Sequence, residues 1–122
     1  MASEEDQLHL TNIINSINEI DSYGKHLDYN QFVQEEEART SIIMNLQMIG
    51  DAASNLTDEF KDKYGYVDYD VLVNLKFAAY NNATEIDPHS VWAIIKEDLP
   101  RIRDDVASAS EALNREEDLS GL

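Results

Sequence analysis

The stretch that decides the fold is "IIMNLQMIGDAASNLTDEFKDKYGYVDYDVLVNLK", residues 42–76. Its first half carries apolar residues at helical spacing, which predicts an amphipathic helix with one buried face. Gly50 lies inside that face, where glycine costs a helix about 1 kcal/mol relative to alanine. We expect a close contact with another helix to explain it. The buried face comprises Ile42, Ile43, Leu46, Ile49, Ala53 and Leu56.

Two polar positions in the second half predict the starts of further helices. Thr57 is expected to cap a short helix that ends near Gly65, and Asp68 to cap one that continues to about Asn82. The pair Asp87-Pro88 has the residue types preferred at the first positions of a helix.

Helical patterning extends to both sides of this stretch. Gly24 is expected to end the first helix and Asp28 to cap the next. Pro100 interrupts the last helix and is expected to kink it or split it in two. The first helix carries the apolar stripe Leu10, Ile13, Ile14, Ile17 and Ile20, and the last carries Val91, Trp92, Ile95, Leu99, Ile102 and Val106.

This pattern predicts an all-α protein, an antiparallel bundle of four to five helices. We expect a single domain over residues 1–122, with about residues 1–7 and 115–122 frayed.

Composition limits the classes of partner. The chain has 25 acidic against 9 basic residues and a net charge of −16. Unless a local basic patch overrides this charge, the surface should repel nucleic acid, DNA included, and anionic membranes, and it should suit a basic protein. The acids alternatively serve only to keep a small protein in solution, as in a saline cytoplasm. There is no cysteine, no run of 18 apolar residues and no signal peptide, which favours a cytoplasmic protein.

Few residues outside the motif discussed below suggest chemistry. His9, His26 and His89 fall in three segments without the spacing of a zinc helix, so no metal or other cofactor is expected. The acidic run at residues 35–37 is interpreted as a solvated helix face. The remaining candidates are aromatic, and helical spacing favours core and interface packing over a base-stacking platform. They are Tyr64, Tyr66, Tyr69, Phe77 and Tyr80.

From about Leu8 to Val106 the chain resembles HepT-like proteins of the HEPN superfamily. The stretch quoted above is similar to the family's "R-N-L-x-x-I-G-E-A" and "E-F-x-x-K-Y" helices, and "DPHSVWAIIKEDLPRIRDDV" is similar to its closing helix. The resemblance implies a helical bundle that forms a homodimer and binds a minimal nucleotidyltransferase (MNT type). It also implies a ribonuclease toxin, which the nucleotidyltransferase silences by binding it and adenylylating a tyrosine.

The family's active motif is arginine, four residues, histidine, one residue and tyrosine. Counting back without a gap from Asp87 and Trp92, these positions fall on Lys76, Asn81 and Ala83. All three residues are therefore substituted in this chain.

The substitutions remove the groups that metal-free RNA cleavage needs. Asn81 has no proton that titrates near neutral pH, and Lys76 keeps the charge of arginine without its planar grip on phosphate. Ala83 has no hydroxyl to be modified. Tyr80, three positions earlier, is only a weak substitute.

Three functions remain open at this point. The first is a HepT-like component of a HEPN/MNT toxin–antitoxin type system, a catalytically degenerate homodimer that binds a nucleotidyltransferase. The second is an active, metal-independent HEPN endoribonuclease toxin that uses Lys76, Asn81 and neighbouring tyrosines, in which case RNA is a partner. The third is a stand-alone structural or regulatory helical bundle.

Overall fold

The protein is all-α over the residues that its computed structural model describes, 2–77 and 87–120. A 3₁₀ turn (Leu75–Phe77) follows the helix Tyr69–Asn74, and a π-helical turn (Ile94–Asp98) joins the helix Pro88–Ala93 to the helix Leu99–Ser120. This confirms the predicted all-α bundle, in which three long helices are connected through short ones. The helices are α1 (Ala2–Gly24), α2 (Tyr29–Gln34), α3 (Glu36–Ser54), α4 (Asp58–Lys63), α5 (Tyr69–Asn74), α6 (Pro88–Ala93) and α7 (Leu99–Ser120).

The centre of the bundle is α1, which packs antiparallel to both α3 and α7. Asp6, near the start of α1, accepts hydrogen bonds from Thr57 just after α3. Asp21, near the end of α1, pairs with Arg103 in the first turns of α7. The predicted stripes form the core between these helices, and within them Ile14 and Trp92 are only partly buried.

The predicted helix starts are confirmed by their side-chain hydrogen bonds. Asp28, Thr57, Asp68 and Asp87 each accept a bond from a backbone N–H in the first turn of the following helix. Such caps satisfy N–H groups that have no partner within the helix. The four caps therefore fix the positions at which α2, α4, α5 and α6 begin.

Pro100 follows a local change of helix type. Leu99 donates its backbone N–H to the carbonyl of Ile94, five residues back, as in a π-helix. A proline ring crowds the preceding turn of a regular α-helix, and the wider π turn relieves that crowding. The predicted disruption at Pro100 is thus a π turn between α6 and α7.

Among the described residues, none of the helices combines the length and the apolar character that a membrane-spanning segment needs.

Candidate functional site

Gly50 is the point at which α3 touches the segment that follows α5. A β-carbon built on Gly50 would lie 2.8 Å from the carbonyl oxygen of Val73 and 2.8 Å from the β-carbon of Lys76. Real β-carbons essentially never approach other atoms this closely. The expected close helix contact is therefore confirmed, and it presses Lys76 against α3.

Lys76 lies in the 3₁₀ turn, with its ammonium between two neighbours. Its Nζ is 3.9 Å from Oδ1 of Asp51 and 5.1 Å from the centre of the Phe77 ring. The Lys76 side chain is 28% exposed and that of Asp51 71% exposed, so their attraction is weakened by water and contributes at most about 1 kcal/mol. The ammonium thus remains accessible to an anion such as phosphate, which would compete with Asp51.

Asp51 was not identified from the sequence. It follows Gly50, and the close contact at Gly50 brings it to Lys76, so the glycine was the available signal. The other predicted motif positions, Asn81 and Ala83, and the substitute Tyr80 lie outside the described residues.

The aromatic residues around α4 and α5 divide into core and surface. Tyr64 and Tyr69 pack on Phe60, with ring centres 4.9 and 6.2 Å from it, and the hydroxyl of Tyr69 donates to the carbonyl of Tyr64 at 2.6 Å. These rings confirm the predicted packing role. Tyr66 is exposed and lines a shallow depression of about 500 Å³ between α4 and α5.

Tyr64 also joins α4 to the end of α7. Its hydroxyl donates to Glu116 at 2.5 Å, and Lys63 pairs with the same carboxylate. Burial, together with the neighbouring Glu116 carboxylate, raises the pKa of Tyr64 to about 12. The hydrogen bonds from Lys63 and Tyr64 lower the pKa of Glu116. Burial also raises the pKa of Tyr69. These contacts stabilise the bundle. The hydroxyls of Tyr64 and Tyr69 are both engaged in hydrogen bonds, so neither is a free nucleophile.

A second aromatic group, which the sequence did not reveal, joins α2 to α6. The ring of His89 stacks on Tyr29, with centres 4.7 Å apart and planes 21° apart. Trp92 contacts the edge of Tyr29 at 6.1 Å and the buried ring of Phe32 at 5.2 Å. Lys96 lies over the indole of Trp92, 4.8 Å from the ring centre.

The remaining candidates form no metal site within the described residues, where no group of three His, Cys, Asp or Glu side chains could hold an ion. His26 and His89 are exposed, and His9 is half-buried. The run at residues 35–37 is exposed at every position, as predicted for a solvated face.

Comparison with known proteins shows which class of protein this chain is similar to. The family model described as "Ribonuclease HepT-like" matches residues 13–109. A protein of Methanocaldococcus jannaschii described as a putative RNase is 29% identical over 106 residues, which cover 87% of this chain and 97% of that protein. A probable ribonuclease HepT of Thermococcus cleftensis is 20% identical over 95 residues, 78% of this chain and 86% of that one. No solved structure matches the chain.

The protein is therefore a helical bundle related to ribonucleases. More specifically, the chain belongs to the ribonuclease HepT-like family. This confirms the family resemblance seen in the sequence.

Proposed function

We propose that this chain is the HepT-like component of a toxin–antitoxin type system, a catalytically degenerate homodimer that binds a minimal nucleotidyltransferase in the cytoplasm. The observation that carries the proposal is the position of Lys76 in the sequence together with its contacts. Counted back from Asp87 and Trp92, Lys76 falls on the arginine position of the family motif. Its ammonium lies near Asp51 and the Phe77 ring.

The chemistry at the motif positions supports a loss of catalysis. A ribonuclease that uses no metal requires a group that moves a proton at neutral pH, and the loss of such a group typically lowers the rate by about 10²- to 10⁴-fold. Asn81 stands where the motif has histidine and cannot supply that proton. Lys76 binds phosphate as a point charge, without the two-pronged hydrogen bonding of arginine.

The homodimer is supported by apolar side chains that the monomer leaves in water. Met44 and Met48 stand four residues apart on α3 and are 57% and 54% exposed. Phe77 is 64% exposed and follows Lys76, which contacts α3 at Gly50. Side chains four apart share a helix face, and burying such a face against a second copy would be favourable.

Light scattering tests the homodimer. We expect the wild-type chain to have the mass of a dimer at micromolar concentration, and Met44→Glu with Met48→Glu to have that of a monomer. Leu8→Glu is the matched control, because Leu8 is 59% exposed but lies on α1. A monomeric wild type, or a double variant that stays dimeric, contradicts the proposed interface.

Co-expression tests the partner. If a gene for a small nucleotidyltransferase lies beside the gene for this chain, the two genes would be expressed together. We expect the two proteins to co-purify.

Alone, the purified chain is expected to leave single-stranded RNA intact at neutral pH. The variant with Lys76→Arg, Asn81→His and Ala83→Tyr places the family's residues at the predicted motif positions, and it is expected to gain RNA cleavage or toxicity only as a dimer.

The second candidate function is an active ribonuclease, which the descriptions of the relatives favour. It would replace the first if the wild type cleaved RNA in the presence of a chelator and Lys76→Ala abolished that cleavage. A chain that neither cleaves RNA nor binds a nucleotidyltransferase would instead be a stand-alone helical bundle.

A further inference from the structure

Tyr29, His89 and Trp92 form an aromatic cluster on the corner between α2 and α6, here called the aromatic ledge, in which His89 is exposed and the other two are half-buried. His89 and Trp92 stand three residues apart and therefore share one face of α6. The ring of His89 is stacked on Tyr29 through one face, and its residue is exposed to solvent. The ledge thus ends in a flat ring whose stack can be extended.

Two rings of the ledge are held in place, one by the core and one by a helix cap. Trp92 rests on Phe32, which is fully buried in the core. Tyr29 is the first residue of α2, whose start is fixed by the capping box between Asp28 and Gln31. Rings that are already held in place lose little conformational freedom when a further ring stacks on them.

A cation lies beside the ledge. The ammonium of Lys96 is over the Trp92 ring and donates to the carbonyl of Gly24 at 3.0 Å. These partners are neutral, and Lys96 forms no ion pair within the described residues, whereas Lys63 and Lys76 each pair with a carboxylate. The carboxylate of Asp87, which caps the start of α6, accepts bonds from the N–H groups of His89 and Ser90 and from the hydroxyl of Ser90. The positive charge of Lys96 is therefore available to an anion at the ledge.

We propose that the aromatic ledge binds a base of single-stranded RNA, which stacks on the open face of His89 while a neighbouring phosphate lies near Lys96. Aromatic and histidine rings bind unpaired bases by stacking, and a nearby cation holds the backbone. Base binding here requires neither RNA cleavage nor a nucleotidyltransferase, so it goes beyond the function proposed above. The two proposals can fail independently.

The net charge gives this binding an unusual salt dependence. Proteins that bind RNA through many lysines and arginines release it as salt rises. This chain carries a net charge of −16, so its long-range interaction with phosphate is repulsive and is weakened by salt. Stacking is not weakened in that way. Affinity at the ledge is therefore expected to stay constant or increase with KCl.

Trp92 allows the ledge to be observed directly, because it is the only tryptophan of the chain. We would titrate the full chain with a short oligoadenylate RNA and follow tryptophan fluorescence at low and at molar KCl. The expected result is a saturable change in emission, with a dissociation constant that does not increase with salt. A steep loss of affinity with salt, or no change in emission, would overturn the proposal.

Three variants separate stacking from other causes. His89→Ala is expected to weaken binding at least about fivefold, the lower end of the range for one base–aromatic contact. His89→Phe retains a flat ring and is expected to bind like wild type. Tyr66→Ala removes an exposed tyrosine outside the ledge and serves as the control. Circular dichroism establishes that each variant is folded.

The nature of the ligand is tested with adenosine monophosphate. An oligomer that binds more tightly than the mononucleotide supports an RNA strand as the ligand, and equal dissociation constants overturn that assignment. Binding that His89→Ala leaves unchanged, or that His89→Phe abolishes, would show that stacking on this ring is not involved.

Discussion

Gly50 and Lys76 are in such close contact that no side chain fits between them. A β-carbon at position 50 would be 2.8 Å from the β-carbon of Lys76 and 3.1 Å from its backbone nitrogen. The adjacent Asp51 carboxylate lies 3.9 Å from the Lys76 ammonium. One glycine thus determines both how α3 crosses the end of α5 and which acid faces Lys76, the residue at a predicted motif position.

Replacing this glycine should be costly. Gly50→Ala forces its methyl group against the backbone at Val73 as well as against Lys76, and overpacking of this kind typically costs about 1–3 kcal/mol. We expect the midpoint of urea unfolding to fall accordingly. Gly65→Ala is the matched control, since the nearest atoms there are 3.8 Å away and its backbone dihedral φ is not positive. It should be neutral or slightly stabilising. Equal effects of the two variants would contradict the close contact.

The main features of the fold could be predicted because they are local in sequence. Periodic apolar residues defined the faces of α1, α3 and α7, and caps such as Thr57 defined helix starts. Gly50 was informative because glycine inside an apolar helix face is unfavourable unless a neighbour requires it. The family match over residues 13–109 agrees with the resemblance found along the chain.

The candidate site was less predictable because it depends on contacts between distant segments. The pairing of Asp51 with Lys76 and the stacking of Tyr29 on His89 follow from how helices cross, which periodicity does not specify. The consequence of Pro100 was also only partly predictable. Proline indicates a disturbed helix, but the choice of a π turn depends on how the flanking helices pack.

A buried carboxylate near the start of α1 provides a second test. Asp6 is 3% exposed and accepts bonds from the backbone N–H of Thr57 at 2.9 Å and from its hydroxyl at 2.7 Å. Asp6→Ala leaves the Thr57 N–H without its acceptor and should destabilise the protein by about 1–3 kcal/mol. Glu5→Ala, at an exposed neighbour, should change stability by less than about 0.5 kcal/mol. Urea unfolding measures both, and a tolerated Asp6→Ala would show that this link to α4 is unimportant.

Stability should decrease at alkaline pH partly because of Tyr64. Its pKa is about 12 in the folded protein against an ordinary value of 10.0, so the folded state retains a proton that the unfolded state loses in this interval. The stabilisation is complete below pH 10 and is lost as pH rises towards 12. Tyr64→Phe should flatten this part of the profile of unfolding midpoint against pH. A variant profile as steep as that of wild type, each referred to its own value at neutral pH, would exclude Tyr64 as a cause.

Salt should stabilise the folded chain because its acidic groups repel one another. With a net charge of −16, the repulsion acts over about 10 Å at 0.1 M salt and about 3 Å at 1 M. We therefore expect the temperature of unfolding to rise between these KCl concentrations.

Asp104→Asn with Glu111→Gln removes two exposed charges from α7 and should stabilise the protein at low salt but not at high salt. Lys25→Gln removes an exposed positive charge and should have the opposite effect. An unfolding temperature that stays constant or falls with KCl would show that the acidic surface contributes no net repulsion.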